Sequence, residues 1–548
     1  MGKIVLCAAA LLLAALGAVA STPLEATNPP AKFKVDSLPG YVNPDGTPKR
    51  LPSSWYTGYI DAGTPPSGEG TMYFHYFMIE SERDPANDPV LFWYNGGPGA
   101  SSLFGMLQEW GPLRLNELSY DKGYNRTGIP TPVYNAFRWT QTHTIVAIDS
   151  PPPIGLSFCS AAGPGGAATS CGPWKDTDVF KANHEAHRTF FVDIFPELKG
   201  NPVYFTGESY AGIYVPGFAM EMLNDPIDGV NFQGIAVGDG WTGCKQIEGK
   251  PVDWCIDLDN VGIFKYPNVH PGPFYDVEFF HGHSQFSNEL YNQIQATCSD
   301  AELKGTEKML PPCSALISEM SDEIGYWFPY NLYNACPSGA MMLDRHGMNR
   351  ALKYRRQSLK AIFKKGNVGG VSPGEGDSGL GSPCLAGAMN EWFALPETLK
   401  AVGALPGSKF LNLDNGHGFN YSSNQPFVGD IYAKLIKAGK RVMIYEGDTD
   451  ACGLQTSPVE DVFVELFKSL GLKKTQKWRP WTTNGEQQMG GYTIEWNGGD
   501  IRFVSIRGSG HLAPLNRPHV TQKMMAEFVS GKSLPPFLPP TETAKLAL

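Results

Sequence analysis

Six residues, Gly207-Glu208-Ser209-Tyr210-Ala211-Gly212, follow the apolar run Val203-Tyr204-Phe205 in a chain of 548 residues. A strand that turns at once into a helix can lift a serine hydroxyl clear of the backbone only when small residues flank it, because the two backbones come too close for larger side chains. Gly207 and Ala211 meet that demand; alanine stands at the last position where glycine is commoner, and the steric argument tolerates it. The string predicts a nucleophile elbow at Ser209 on the mixed central sheet of an α/β-hydrolase fold. Short G-x-S-x-A strings also arise by chance, so the elbow has to be judged with its partners.

Those partners occur in the right chain order. Gly447-Asp448-Thr449-Asp450 follows the apolar stretch Arg441 to Tyr445, and Gly508-Ser509-Gly510-His511 follows Phe503 to Ile506, which places an acid and an imidazole after two further predicted strands. Ser, Asp, His is the α/β-hydrolase order and differs from the other two common serine-hydrolase arrangements. A serine hydroxyl is a weak nucleophile until an imidazole takes its proton, and the acid fixes the imidazole tautomer. Ser209, Asp450 and His511 are therefore the candidate catalytic residues. Upstream, Asn95-Gly96-Gly97-Pro98-Gly99 follows the predicted strand Leu91 to Tyr94. The expected oxyanion donors are the backbone N–H groups of Gly97 and of Tyr210, the residue after the nucleophile.

Four strings together carry a family resemblance: Trp93 to Ser102, Gly207 to Gly212, Gly447 to Asp450, and Gly510-His511-Leu512-Ala513-Pro514. They resemble the serine carboxypeptidase family, and the likeness runs from about Ser37 to the His511 loop. The resemblance implies an enzyme that removes C-terminal residues from peptides through an acyl-enzyme, with Asp450 as the catalytic acid and Asp448 structural. It implies that Asn95, the Gly96 N–H, Glu208 and Glu109 hold the substrate's free carboxylate, with Trp93 lining that site. Two glutamates beside a substrate carboxylate cannot all stay ionised cheaply, so an acidic optimum is expected. Family members that act as acyltransferases or hydroxynitrile lyases, or that protect partner glycosidases by binding them, are the alternatives. Three departures stand out. Ala100 replaces a cysteine that in the family pairs with one at the position of Cys384; Pro152-Pro153-Ile154-Gly155 replaces Ala-Gly-Val-Gly; and Leu512-Ala513 follows the histidine.

Lys3, the apolar run Ile4 to Leu16 and the small-x-small string Ala18-Val19-Ala20 read as a secretory signal peptide over 1–20, too short to be a permanent anchor. Extracellular or vacuolar/lysosomal residence is expected. Without Cys7 the cysteine count is odd, which leaves at least one thiol unpaired. Cys452 is the candidate, while Cys159 with Cys171 and Cys244 with Cys255 look like local bridges. Asn125-Arg126-Thr127 and Asn420-Tyr421-Ser422 are glycosylation sequons.

A triad spread from 209 to 511 must converge in one fold, so the economical organisation is a hydrolase core (21–243 and 385–533) interrupted by a cysteine-dense cap, 244–384, with a helix over Asn288 to Ala296. Within the cap, 345–381 is basic and then Gly/Ser/Pro-rich, either a solvated loop or an excised linker. Residues 534–548 begin with the Pro-rich Leu534 to Pro540, which reads as a disordered tail. A net charge of −10 argues against nucleic-acid partners. The expected partners are peptides or proteins with a free C-terminus and, in a homodimer, a second copy of the chain. No cofactor or metal is expected; His281-Gly282-His283 lacks further ligands at metal-site spacing.

Overall fold

The computed structural model describes residues 29–243 except 121, the strand pairs 246–247 and 250–251, residues 273–334 except 306 and 326, and residues 387–537 except 414–419, 426, 453–454 and 484–488. A twelve-stranded sheet runs through it. Its main strands are β1 (Phe33–Val35), β2 (Trp55–Asp61), β3 (Met72–Ile79), β4 (Val90–Tyr94), β5 (Thr144–Ile148), β6 (Val203–Ser209), β7 (Phe232–Gly240), β8 (Arg441–Gly447), β9 (Lys474–Thr482), β10 (Met489–Trp496) and β11 (Ile501–Ile506). Their spatial order is β1-β2-β3-β5-β4-β6-β7-β8-β11-β10-β9. From β5 to β11 every pairing is parallel, and both flanks are antiparallel. This is the mixed sheet of an α/β-hydrolase fold.

The central strands carry mostly apolar runs because both faces are covered, as parallel sheets require, and their polar residues gather at the ends. On one face Phe92, Tyr94, Val203 and Phe205 pack with helices α1 (Asp176–Thr189), α2 (Ala211–Asn224), α6 (Gly429–Lys437) and α7 (Thr456–Ser469). On the other, Leu91, Trp93, Tyr204, Met443 and Val504 pack with α8 (Pro518–Val529), a π-helical turn over Gly105–Trp110, and Ala388 to Phe393. β5 and β6 lie on opposite sides of β4, so the strand order reverses there and opens a crevice at the carboxyl ends, where ligands bind in open α/β sheets.

Helices α3 (Phe274–Gly282), α4 (Asn288–Thr297) and α5 (Pro311–Ile324) form a separate apolar cluster of Val277, Phe280, Leu290, Ile294 and Met320. Disulfides join Cys298 to Cys313 and, as expected, Cys159 to Cys171. The expected Cys244–Cys255 bridge, the Cys384 position, the signal peptide and the linker 345–381 lie outside the described residues. One expectation needs correction. The Pro-rich tail is ordered where it starts: Leu534 is fully buried, Pro535 O accepts from Thr482 N at 3.0 Å, and Phe537 N donates to Pro480 O at 3.3 Å. Proline lacks an N–H but keeps its carbonyl, so a Pro-rich segment can still accept from a sheet edge.

Candidate active site

Ser209 ends β6 with φ of +62°, a left-handed conformation that β-strand and helix cannot share without a sharp turn. The turn is crowded. A Cβ on Gly207 would lie 2.4 Å from Tyr94 O and 2.7 Å from the Ala211 Cβ; one on Gly212 would lie 2.2 Å from Trp241 O. Gly96 is as tightly set, since its Cβ would lie 2.3 Å from Tyr210 N and 2.9 Å from Ser209 Oγ. The Asn95–Gly99 loop thus lies against the elbow with bare backbone. Tyr210 is the N-cap of α2, whose first N–H groups have no intrahelical acceptor, and Gly97 holds φ of +109°.

Asp450 and His511 come from the ends of neighbouring parallel strands, β8 and β11. His511 Nδ1 meets Asp450 Oδ2 at 2.7 Å, both side chains fully buried, and Cys452 N donates to Asp450 Oδ1 at 2.9 Å. With Nδ1 committed to the carboxylate, Nε2 is the nitrogen left to act as a base. Among the described residues the buried Nε2 has no hydrogen-bond partner. Asp448 instead accepts from Gly508 N at 2.6 Å and Ser509 N at 3.3 Å, which shapes the histidine loop. Cys452, a buried thiol outside either disulfide, sets Sγ 3.3 Å from His511 Nδ1. Asp450, Cys452 and His511 offer ligand-type atoms within 4.8 Å of one another, and the hydrogen bonds just given already join them.

The other candidate residues converge beside the elbow. Trp93 Nε1 (2.8 Å) and Gly105 N (2.9 Å) both donate to Asn95 Oδ1, which fixes the amide so that Nδ2 donates to Glu208 Oε1 at 2.9 Å. Glu109, carried by the π-helical turn, faces Glu208 and Asn95 and is fully buried. Burial pushes its carboxyl up to about 7, and burial with the charge of Glu109 pushes Glu208 well above the usual range.

Several residues in the site escaped sequence reasoning. Arg114 is fully buried behind Glu109; it donates to Glu109 O and, at 3.2 Å, to Pro514 O, and burial pulls it down to about 9. Asp239 and Glu446, at the ends of β7 and β8, form a second buried carboxyl pair next to Asp450, both pushed well up by burial and by neighbouring acids. The available signal was a charge inside an apolar run, as at Arg114 between Leu113 and Leu115. His281 bonds Asn288 Oδ1 at the start of the next helix, and His283 bonds Phe279 O one turn back. Asn125 and Asn420 are both exposed, as glycosylation requires.

Comparison with known proteins adds to this geometry. The family model described as serine carboxypeptidase matches residues 44–531. "Serine carboxypeptidase 1" of Hordeum vulgare is 28% identical over 533 residues, covering 92% of this chain and 94% of that protein. "Lysosomal protective protein" of Mus musculus is 28% identical over 524 residues, covering 91% and 94%. Among solved structures, the prohormone-processing carboxypeptidase KEX1(delta)P from Saccharomyces cerevisiae matches with a TM-score of 0.56 at 17% identity, covering 87% of this chain and 91% of that one, a likeness of fold.

Proposed function

Because this chain belongs to the serine carboxypeptidase family, we propose that Ser209, Asp450 and His511 are its catalytic triad and that Asn95, Gly96, Glu109 and Glu208, lined by Trp93, hold the substrate's C-terminal carboxylate. The protein is a serine-type carboxypeptidase. In this reading His511 Nε2 takes the hydroxyl proton as Ser209 Oγ attacks the last peptide carbonyl. The oxyanion is held by the N–H groups of Gly97 and Tyr210. The imidazolium then gives its proton to the leaving amine, and a water, deprotonated in turn by His511, hydrolyses the acyl-enzyme. Asp450 stabilises the imidazolium throughout.

The observation that carries exopeptidase specificity is the Asn95–Glu208–Glu109 cluster against the elbow, two carboxyls held up by burial. A protonated glutamate donates to a carboxylate; an ionised one repels it. Below about pH 7 Glu109 keeps its proton, and as pH rises through that value Glu109 turns acceptor-only and brings a negative charge to the anion-binding site. KM for peptide acids should therefore rise from neutral pH upward, while peptide amides, which need no such donor, show no matching rise. KM against pH for matched acid and amide substrates tests this, and superimposable profiles would exclude the shared-proton site. Residence in the secretory pathway fits the two disulfides, which persist in oxidising compartments; no described helix is long and apolar enough to cross a membrane.

A further inference from the structure

The segment Phe328–Asn334, at the end of the described cap, crosses between the loops that carry Asp450 and His511. Three main-chain bonds stitch it down: Leu332 N to Thr449 O (2.9 Å), Ala451 N to Pro329 O (3.0 Å) and His511 N to Tyr330 O (2.7 Å). The Tyr330 ring lies against the His511 ring, centroids 4.7 Å apart. Gly510 has no room for a side chain, since its Cβ would lie 2.1 Å from Tyr330 O and 2.6 Å from the Asn331 Cβ.

A polar relay runs through the same contact. Asn331, buried, accepts on Oδ1 from Thr449 Oγ1 and Tyr333 N, both at 3.1 Å. Its Nδ2 must then be the donor, and it reaches Asn516 Oδ1 at 3.2 Å, which also accepts from Gly510 N at 2.8 Å. The donors are thereby fixed: the Thr449 hydroxyl donates to the Asn331 carbonyl, and the Asn331 amide and the Gly510 N–H both donate to the Asn516 carbonyl, which closes the chain. Its ends are the residues immediately before Asp450 and His511.

We infer that Asn331 and Asn516 are positioning residues for the reaction, an amide relay by which the cap fixes the spacing of the Asp450 and His511 loops. The inference rests on the triad reading above. His511 has one strong side-chain bond, to Asp450, so the orientation of Nε2 toward Ser209 depends on where these two loops are held. A displacement of about 1 Å at reacting groups can cost about 100-fold in rate without touching substrate binding.

The full-length protein carries the test: kcat and KM for a blocked dipeptide, stoichiometric labelling of Ser209 by a phosphonofluoridate, and Tm, for Asn331→Ala, Asn516→Leu, Asn516→Asp and the double variant Asn331→Ala/Asn516→Leu. Asn331→Ala and Asn516→Leu should lower kcat about 10- to 100-fold with KM within about twofold. Asn516→Asp, which keeps the acceptor for both donors, should recover most of the rate, and the double variant should lose little more than either single one. Unchanged kcat in folded variants, additive losses, or Asp and Leu equally poor at position 516 would overturn the inference. So would failure of all the variants to fold, which would assign the pair to stability. A wild-type protein that neither releases C-terminal residues nor labels at Ser209 would instead sink the catalytic reading, a separate result.

Discussion

Ser209 is held at a φ that non-glycine residues seldom adopt, at a cost of about 1–3 kcal/mol, and the packing of Gly207, Gly212 and Gly96 around it leaves the chain no cheaper path. Strain of this kind presents the hydroxyl without using any side-chain contact. Ser209→Ala should therefore fold normally and lose about 10⁶-fold in kcat, read by steady-state hydrolysis of a blocked dipeptide. The two acids of the Gly447-Asp448-Thr449-Asp450 string are separated by their partners rather than by their sequence. Asp450 bonds the imidazole, whereas among the described residues Asp448 bonds backbone N–H groups of the loop that precedes His511. Asp450→Asn should lower kcat by about 10⁴-fold because it favours the wrong tautomer. Asp448→Asn should cost far less, since an amide oxygen still accepts from Gly508 and Ser509; the reverse ranking would reassign the acid.

The sheet brings these residues together by ordering its strands. β6, β7, β8 and β11 are parallel neighbours, so everything just past their carboxyl ends shares one rim, however far apart in the chain. Motifs confined to one strand and its turn were legible for that reason: the elbow, Asn95–Gly99, the Asp450 turn and the His511 loop each announce themselves within a few residues. Glu109 was reachable only through the family resemblance; Arg114 carried the one local signal, a charge inside an apolar run, and Asp239, Glu446 and Asn331 carried less, because their partners come from other strands or from the segment 328–334. The start of the tail, 534–537, was misread for a related cause: proline content reports lost N–H donors and says nothing about acceptors. Crowding at the rim gives a prediction for Gly96→Ala. The added methyl would meet backbone at Tyr210 N, which cannot swing aside as a side chain would. Activity should fall by more than about 100-fold even with the triad intact, measured as the rate of Ser209 labelling; a wild-type labelling rate would show that the Asn95–Gly99 loop can retreat.

Buried titratable groups make the whole molecule's stability depend on pH in a direction that can be worked out. Glu109, Glu208, Asp239 and Glu446 are all pushed up by burial first and by neighbouring acids in three of the four, Glu109 to about 7. Unfolded, they ionise near their ordinary values of 4.5 for glutamate and 3.8 for aspartate, so above those values the folded protein holds more protons than the unfolded chain. Stability then falls as pH rises. His143 and His187 oppose this: burial holds both low, His143 at about 4 against an ordinary 6.5, so their contribution is complete above 6.5 and lost as pH falls toward 4. Between about 4 and 6.5 the two sets pull against each other. Above 6.5 the histidines are neutral in both states, and each carboxyl proton still retained costs about 1.4 kcal/mol per pH unit. Tm at constant ionic strength should therefore crest in mild acid and decline from about pH 6.5 to 8, the same range in which Glu109 loses its donor proton. Asp239→Asn should make that decline shallower, because an amide can still accept from Gly447 N while donating to Glu446, and the pair no longer has to keep a proton. A wild-type Tm that held level or rose across that interval would mean that these carboxyls ionise in the folded protein at ordinary pH, and the donor role given to Glu109 would fall with it.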